Sequence, residues 1–181
     1  IKCGGGDDGL YEDRKFQQNI QGALANGIQV GVYFYSGASN AREAYDEASY
    51  CISLIMDYQI TYPVAFDWEL DGDYDSVTEA CETFCNVISS YGYQPMVYSN
   101  RNRWYNNFDG EKIASKYKVW MAAYFGKFYY DSVRWTYGDD LPNFRYHYDM
   151  WQYSSRCYVD GISGQVDVDI AFFGYANYHV D

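Results

Sequence analysis

Through the first hundred residues, short β-rich apolar runs alternate with segments of helical periodicity. That alternation restricts the chain to βαβ units on a parallel sheet. A helix is expected over about Tyr11 to Asn26. Phe16, Ile20, Ala23 and Leu24 recur there at three- and four-residue spacings, and Gly27 stands where a helix ends. The stretch from Gln29 to Ser36 reads as a buried strand. Asn40 with Glu43 has the pattern of a capping box for a second helix, about Ala41 to Tyr58. The next strand, Tyr62 to Glu69, ends in acids, and Ser76 with Glu79 opens a third helix that runs to about Tyr91. Further strands are expected at Pro95 to Ser99, Lys118 to Tyr124, Asp149 to Ser154 and Gln165 to Asp169. Helices thin out after Tyr105, and residues 125–147 are irregular, aromatic and charged. Parallel strands that keep ending in polar residues point to a barrel, with function at the C-terminal ends of its strands.

A chain of 181 residues fits a single domain with its own core. Asp and Glu outnumber Lys and Arg by 25 to 13, a formal charge of −12. Such a chain offers no basic footprint for phosphates, so nucleic acid is excluded as a partner, as is an anionic membrane surface. No run of eighteen apolar residues reads as a membrane-spanning helix. With 23 Tyr, 5 Trp and 10 Phe, the chain is rich in flat apolar faces, many with a polar tip. Most of these rings belong in a core, and the surplus suits a cleft for sugars. Cys81 and Cys85 stand four apart on a helical pattern, half of a metal site. His147 and His179 are poor partners for it, so no metal is expected and the cysteines are read as buried thiols.

Asp67-Trp68-Glu69 is the sharpest local feature. Side chains alternate along a strand, so Asp67 and Glu69 share one face with Cα atoms about 7 Å apart. Two carboxylates at the mouth of an apolar strand repel each other, and one pKa should rise. A raised carboxyl donates a proton near neutral pH while its neighbour stays ionised, the pairing that glycoside hydrolysis uses. A second same-face pair, Asp167 and Asp169, stands on the last strand. Together the pairs point to a carboxylate-lined sugar cleft. A divalent cation is the competing use of such acids, but no Ca-loop pattern is present. The glycine run from Gly4 to Gly9 lacks the Gly-Lys-Ser/Thr of a phosphate loop, and no G-x-S-x-G occurs.

These residues resemble the glycoside hydrolase family 25 lysozymes, muramidases of the Chalaropsis type. Ile1 to Gly6 is similar to the family's second strand and its turn, and Asp13, Phe16 and Asn19 to the helix that follows. Val30-Gly31-Val32-Tyr33-Phe34-Tyr35-Ser36 resembles its G-V-Y strand, and Asp67-Trp68-Glu69 its D-x-E. Gly92-Tyr93-Gln94-Pro95 and Tyr98-Ser99-Asn100 resemble G-Y-x-P and Y-[ST]-N. Trp120, Ala122 and Tyr124 fit W-x-A-x-Y, Trp151-Gln152-Tyr153-Ser154 fits W-Q-Y-[ST], and Val166-Asp167 with Asp169 fits V-D-x-[ND]. The pieces come in the family's order.

The resemblance implies an α/β fold, a flattened, irregular TIM-like barrel with fewer helices than strands. It implies cleavage of the β-1,4 bond between N-acetylmuramic acid and N-acetylglucosamine in peptidoglycan, without a cofactor. Glu69 would be the general acid. Asp67, expected to be ionised and to hold Glu69 protonated, would serve the substrate's 2-acetamido group, which acts as internal nucleophile with net retention. Asp167 would be a further catalytic carboxylate, and Tyr33, Tyr35, Tyr98, Trp120, Tyr124, Gln152 and Asp169 would bind glycan. The alternative is a catalytically silent binder of wall sugars on the same fold. The expected place of action is outside the cell, at the wall, by secretion or as a phage lysin. The acidic charge gives no attraction to anionic walls, so a separate wall-binding module is expected. Ile1 to Cys3 reads as the tail of a strand, so an N-terminally incomplete catalytic domain over 1–181 is expected, with 125–147 as an insertion bearing Arg134, Trp135 and Arg145.

Overall fold

The computed structural model describes residues 1–124 and 141–173. The element order is β1 (Lys2–Gly5), β2 (Tyr11–Glu12), α1 (Phe16–Ala25), β3 (Val32–Ser36), α2 (Ala41–Ile55), β4 (Val64–Trp68) and α3 (Tyr74–Ser90). Then come β5 (Pro95–Asn100), α4 (Arg101–Asn106), α5 (Gly110–Ala114), β6 (Lys118–Ala122), β7 (Met150–Cys157) and β8 (Val166–Ala171). The strands form one eight-stranded sheet in the order β2-β1-β3-β4-β5-β6-β7-β8. β1, β3, β4, β5, β6 and β7 run parallel. The outer strands β2 and β8 are antiparallel to their neighbours. The short connection between β7 and β8 has room for a hairpin but not for a crossover helix. Among the described residues, β8 is not hydrogen-bonded to β1.

Alternation along the strands builds two faces. Val32 and Phe34, Val64, Phe66 and Trp68, Val97, Val119, Met121 and Trp151 go to one core cluster. The helices close over it with Ala44, Ala48, Cys51, Ile52 and Ile55 of α2 and Val77, Cys81, Phe84 and Ile88 of α3. Trp68 is 1% exposed, meets Phe108 edge to face and donates its indole N–H to the Ala38 carbonyl. The residues in between, among them Tyr33, Tyr35, Asp67, Tyr98 and Trp120, are left for the opposite face. All five cysteines are buried free thiols.

Several boundaries differ from the sequence reading, each for a local reason. The first helix begins at Phe16, because Tyr11 and Glu12 pair with Gly5 and Gly4 of β1 instead of extending it. A Cβ at Gly4 would stand 2.3 Å from the Tyr11 carbonyl oxygen, so the glycine permits that approach. Gly27 follows α1 with φ +69°, as a C′ residue does. Asn40 caps α2 by accepting from the Glu43 amide at 3.1 Å, while Glu43 reaches back to Ser39 rather than to Asn40. α3 starts earlier than Ser76, because Asp73 accepts from the Ser76 amide at 3.0 Å and is the cap. α4 and α5 were not expected. Each is too short to show periodicity, and each is started by a side-chain cap, Asn100 or Asp109. Of the segment read as an insertion, 125–140, with Arg134 and Trp135, lies outside the described residues, as does His179. In the remainder, Arg145 lies over the Tyr105 ring at 4.8 Å.

Candidate active site

The strand register places four side chains of adjacent strands in one row: Tyr35 pairs with Asp67, Asp67 with Tyr98, and Tyr98 with Trp120. Tyr33 meets the Trp120 ring edge to face at 6.2 Å, and Tyr98 meets it at 4.6 Å. The site residues expected from sequence thus come together as an aromatic wall around an acid. Tyr98 and Tyr124 both donate their hydroxyls to Gln152 Oε1, the Tyr98 bond at 2.8 Å. Trp120 Nε1 donates to Asp169 Oδ1 at 2.7 Å. Gln152 and Asp169 are themselves register partners across β7 and β8.

The two acids of the D-x-E tripeptide have different surroundings. Asp67, inside β4, is 5% exposed, and its Oδ1 has no hydrogen-bond partner among the described residues. Burial pushes its carboxyl up to about 8. The charge of Glu69 and, more weakly, that of Asp167 add to the push, and Lys2 opposes it. Glu69 is the first residue beyond β4 and is only partly buried. Asp67 therefore keeps its proton at neutral pH in the free protein. This corrects the expectation of an ionised Asp67. The cause is depth: the strand ends at Trp68, so one acid stays inside the sheet and the other stands at its mouth.

Asp167 is exposed on β8, two residues from Asp169 and on the same face, and its charge is felt at Asp67, Tyr33 and Tyr124. Asp169 keeps exposed surface, yet the packing around its carboxyl raises its pKa against the Trp120 hydrogen bond, which lowers it. Burial first, and the acids second, also raise the pKa values of Tyr33 and Tyr35. Both phenols are neutral donors at neutral pH.

Lys2 belongs to this site and was not singled out from sequence. Its ammonium lies 4.9 Å from the Tyr35 ring centre, 5.4 Å from that of Tyr11, and donates to the Tyr11 hydroxyl at 3.2 Å. The signal available was a lone cation two residues before a glycine run. His147 is exposed and pairs with Asp149 at 3.4 Å, away from the acids. No group of His, Cys, Asp and Glu among the described residues is arranged to hold a metal ion. A cavity of about 180 Å³ between Tyr33, Tyr62, Ala65, Met96, Trp120 and Asp169 lies at the N-terminal ends of the strands. It does not reach the acid pair. The acids and phenols converge instead at the C-terminal ends of the strands.

Comparison with known proteins agrees with this geometry. The family model described as glycosyl hydrolases family 25 matches residues 1–162. The autolytic lysozyme of Clostridium acetobutylicum is 26% identical over 164 residues, which cover 88% of this chain and 44% of that protein. The lysozyme of Streptococcus phage Cp-1 is 29% identical over 137 residues, 70% of this chain and 37% of that protein. The modular autolysin LytC of Streptococcus pneumoniae, solved in complex with a synthetic peptidoglycan ligand, superposes with a TM-score of 0.72 at 27% identity. That match covers 93% of this chain and 39% of LytC. The likeness bears out the expected α/β architecture. The chain spans less than half the length of these relatives.

Proposed function

The chain belongs to glycosyl hydrolases family 25, and from that premise we propose that it is a peptidoglycan-cleaving lysozyme that acts on the β-1,4 bond from N-acetylmuramic acid to N-acetylglucosamine. The observation that carries this reading is the unequal acid pair: a buried Asp67 with an unpartnered oxygen, one residue removed from an accessible Glu69, beside an aromatic wall.

Glu69 stands at the strand mouth, where it can meet the glycosidic oxygen of a glycan lying across the cleft. It donates its proton to that oxygen as the bond to C1 breaks. The carbonyl oxygen of the muramyl 2-acetamido group attacks C1 from the other face, and positive charge develops on the acetamido nitrogen. The N–H of that group, set against Asp67 Oδ1, supplies the donor this oxygen lacks. That bond favours the ionised form of Asp67, whose proton goes to the Glu69 carboxylate as the glycan binds, and the Asp67 charge then stabilises the cation. Water next attacks C1, Glu69 takes its proton back, the acetamide re-forms, and configuration is retained. Tyr33, Tyr35, Tyr98 and Trp120 give the sugars apolar faces and neutral donors. Asp167 and Asp169 keep the cleft negative around the developing cation.

The intact acid pair and the raised pKa of Asp67 favour an enzyme over a silent wall-sugar binder. LytC was solved with a synthetic peptidoglycan ligand, and the same polymer is proposed as the partner here. The place of action follows: the cell wall, reached by secretion or phage-mediated release, with wall-binding left to a separate module.

The test is digestion of purified peptidoglycan, borohydride reduction of the products and mass spectrometry. New ends that carry reduced N-acetylmuramic acid support the reading. Ends that carry reduced N-acetylglucosamine, or binding with no new ends, refute it.

A further inference from the structure

Glu69 is the first residue past β4, where the sheet stops holding the backbone. On the β5 side the ladder ends one residue earlier still, at the pair Asp67–Tyr98. A side chain on an unsupported peptide would sample several directions, and proton donation tolerates little of that. The carbonyls on either side of Glu69 are nevertheless fixed. The Ser99 hydroxyl, completely buried, donates to the Trp68 carbonyl at 2.8 Å. The Arg103 Nε donates to the Leu70 carbonyl at 3.0 Å.

The sequence places both donors together. β5 ends at Asn100, whose side chain accepts from the Arg103 amide at 3.1 Å and starts α4. Arg103 therefore leaves the helix in its first turn, directly above the β5 end that carries Ser99. One contiguous segment, Ser99 to Arg103, grips the carbonyl of the residue before Glu69 and the carbonyl of the residue after it. The grip lies behind the loop, on the face away from the aromatic wall, because Tyr98 points into the cleft and Ser99 alternates away from it.

We propose that Ser99 and Arg103 are positioning residues for the general acid, which set the direction of Glu69 without touching the glycan; the proposal rests on the role given to Glu69 above. Both residues bond backbone carbonyls, and neither is assigned a contact with the substrate. Their loss therefore acts on the transition state and leaves ground-state binding alone.

The experiment compares Ser99→Ala, Ser99→Thr and Arg103→Met with wild type on peptidoglycan, with turnover counted per folded molecule. Ser99→Ala and Arg103→Met are expected to lower kcat about tenfold or more, with KM within about twofold. Ser99→Thr, which keeps the hydroxyl, is expected to restore kcat to within about threefold of wild type. The carboxyl carbon of Glu69, followed by NMR in the same proteins, is expected to give one narrow line in wild type and a broadened or split line in Ser99→Ala and Arg103→Met. That line is read whether or not the protein cleaves peptidoglycan, so failure of the enzymatic reading is distinct from failure of the proposal. Arg103 is only partly buried, so its variant tests the idea even if Ser99→Ala unfolds. An unchanged Glu69 line in Arg103→Met, or a raised KM at unchanged kcat, overturns the proposal.

Discussion

Trp120 Nε1 donates to Asp169 Oδ1 at 2.7 Å, so the indole of β6 reaches across β7 to an acid on β8. The bond fixes the ring that Tyr33 and Tyr98 meet edge to face, and so ties the aromatic wall to the acidic edge of the cleft. Replacing Trp120 by Ala is expected to raise KM for peptidoglycan about tenfold, near 1.4 kcal/mol of binding. Asp169→Asn keeps an acceptor for the indole and is expected to have a smaller effect. Steady-state kinetics on both variants decides. A KM unchanged in Trp120→Ala removes the ring from the glycan site.

Asp67 ties stability to pH. Its carboxyl is raised from 3.8 to about 8 in the folded protein. Between those values the folded state holds a proton that the unfolded state has lost, so this group's contribution to stability falls as pH rises from about 4 to about 8. The loss is up to about 1.4 kcal/mol per pH unit. Asp67→Asn has no such proton, so its stability relative to wild type is expected to climb between pH 5 and pH 8. Urea unfolding of both proteins at pH 5, 6.5 and 8 measures the difference. A difference that stays constant with pH contradicts the buried, protonated acid.

Lys2 opposes the rise in the Asp67 pKa. Lys2→Met is therefore expected to move the Asp67 titration to higher pH, as followed by the NMR signal of its carboxyl carbon. A titration that stays in place, or moves down, would show that the ammonium over Tyr35 does not face this acid.

Much of this site is legible in the chain because two simple periodicities meet there. A period of two along 64–68 puts Asp67 opposite Phe66 and Trp68, and the same alternation at Tyr33, Tyr35, Tyr98 and Trp120 delivers the wall. Which acid is the deeper was not legible, since a tripeptide does not state where its strand ends. Lys2 was missed because a single cation carries no period. Tyr11 and Glu12 were read as helix because their partners, Gly4 and Gly5, act through pairing rather than through local propensity. α4 and α5 are too short for a pattern and are defined by their caps.

Glu47 is a buried acid outside the cleft, 3% exposed, and its carboxyl is raised to about 7 by burial. Ser36 donates its hydroxyl to Glu47 at 2.5 Å and Gly37 its amide at 2.8 Å, which anchors the end of β3 beyond Tyr35. Glu47→Ala leaves the buried Ser36 hydroxyl and the part-buried Gly37 amide without their acceptor and is expected to cost about 2 kcal/mol or more. Glu47→Gln keeps an acceptor and is expected to cost less. Thermal and urea unfolding compare the two. Equal stability of Glu47→Ala and wild type would show that the anchor is dispensable.

Glu69 as the proton donor is the central assignment. The most direct measurement is the rate of release of new reducing ends from purified peptidoglycan by Glu69→Gln, with binding of the same polymer followed in parallel. An amide keeps the shape of the side chain but has no proton to give the leaving oxygen. Turnover is expected to fall by about 10²- to 10⁴-fold, with binding retained. Release at the wild-type rate would contradict the assignment.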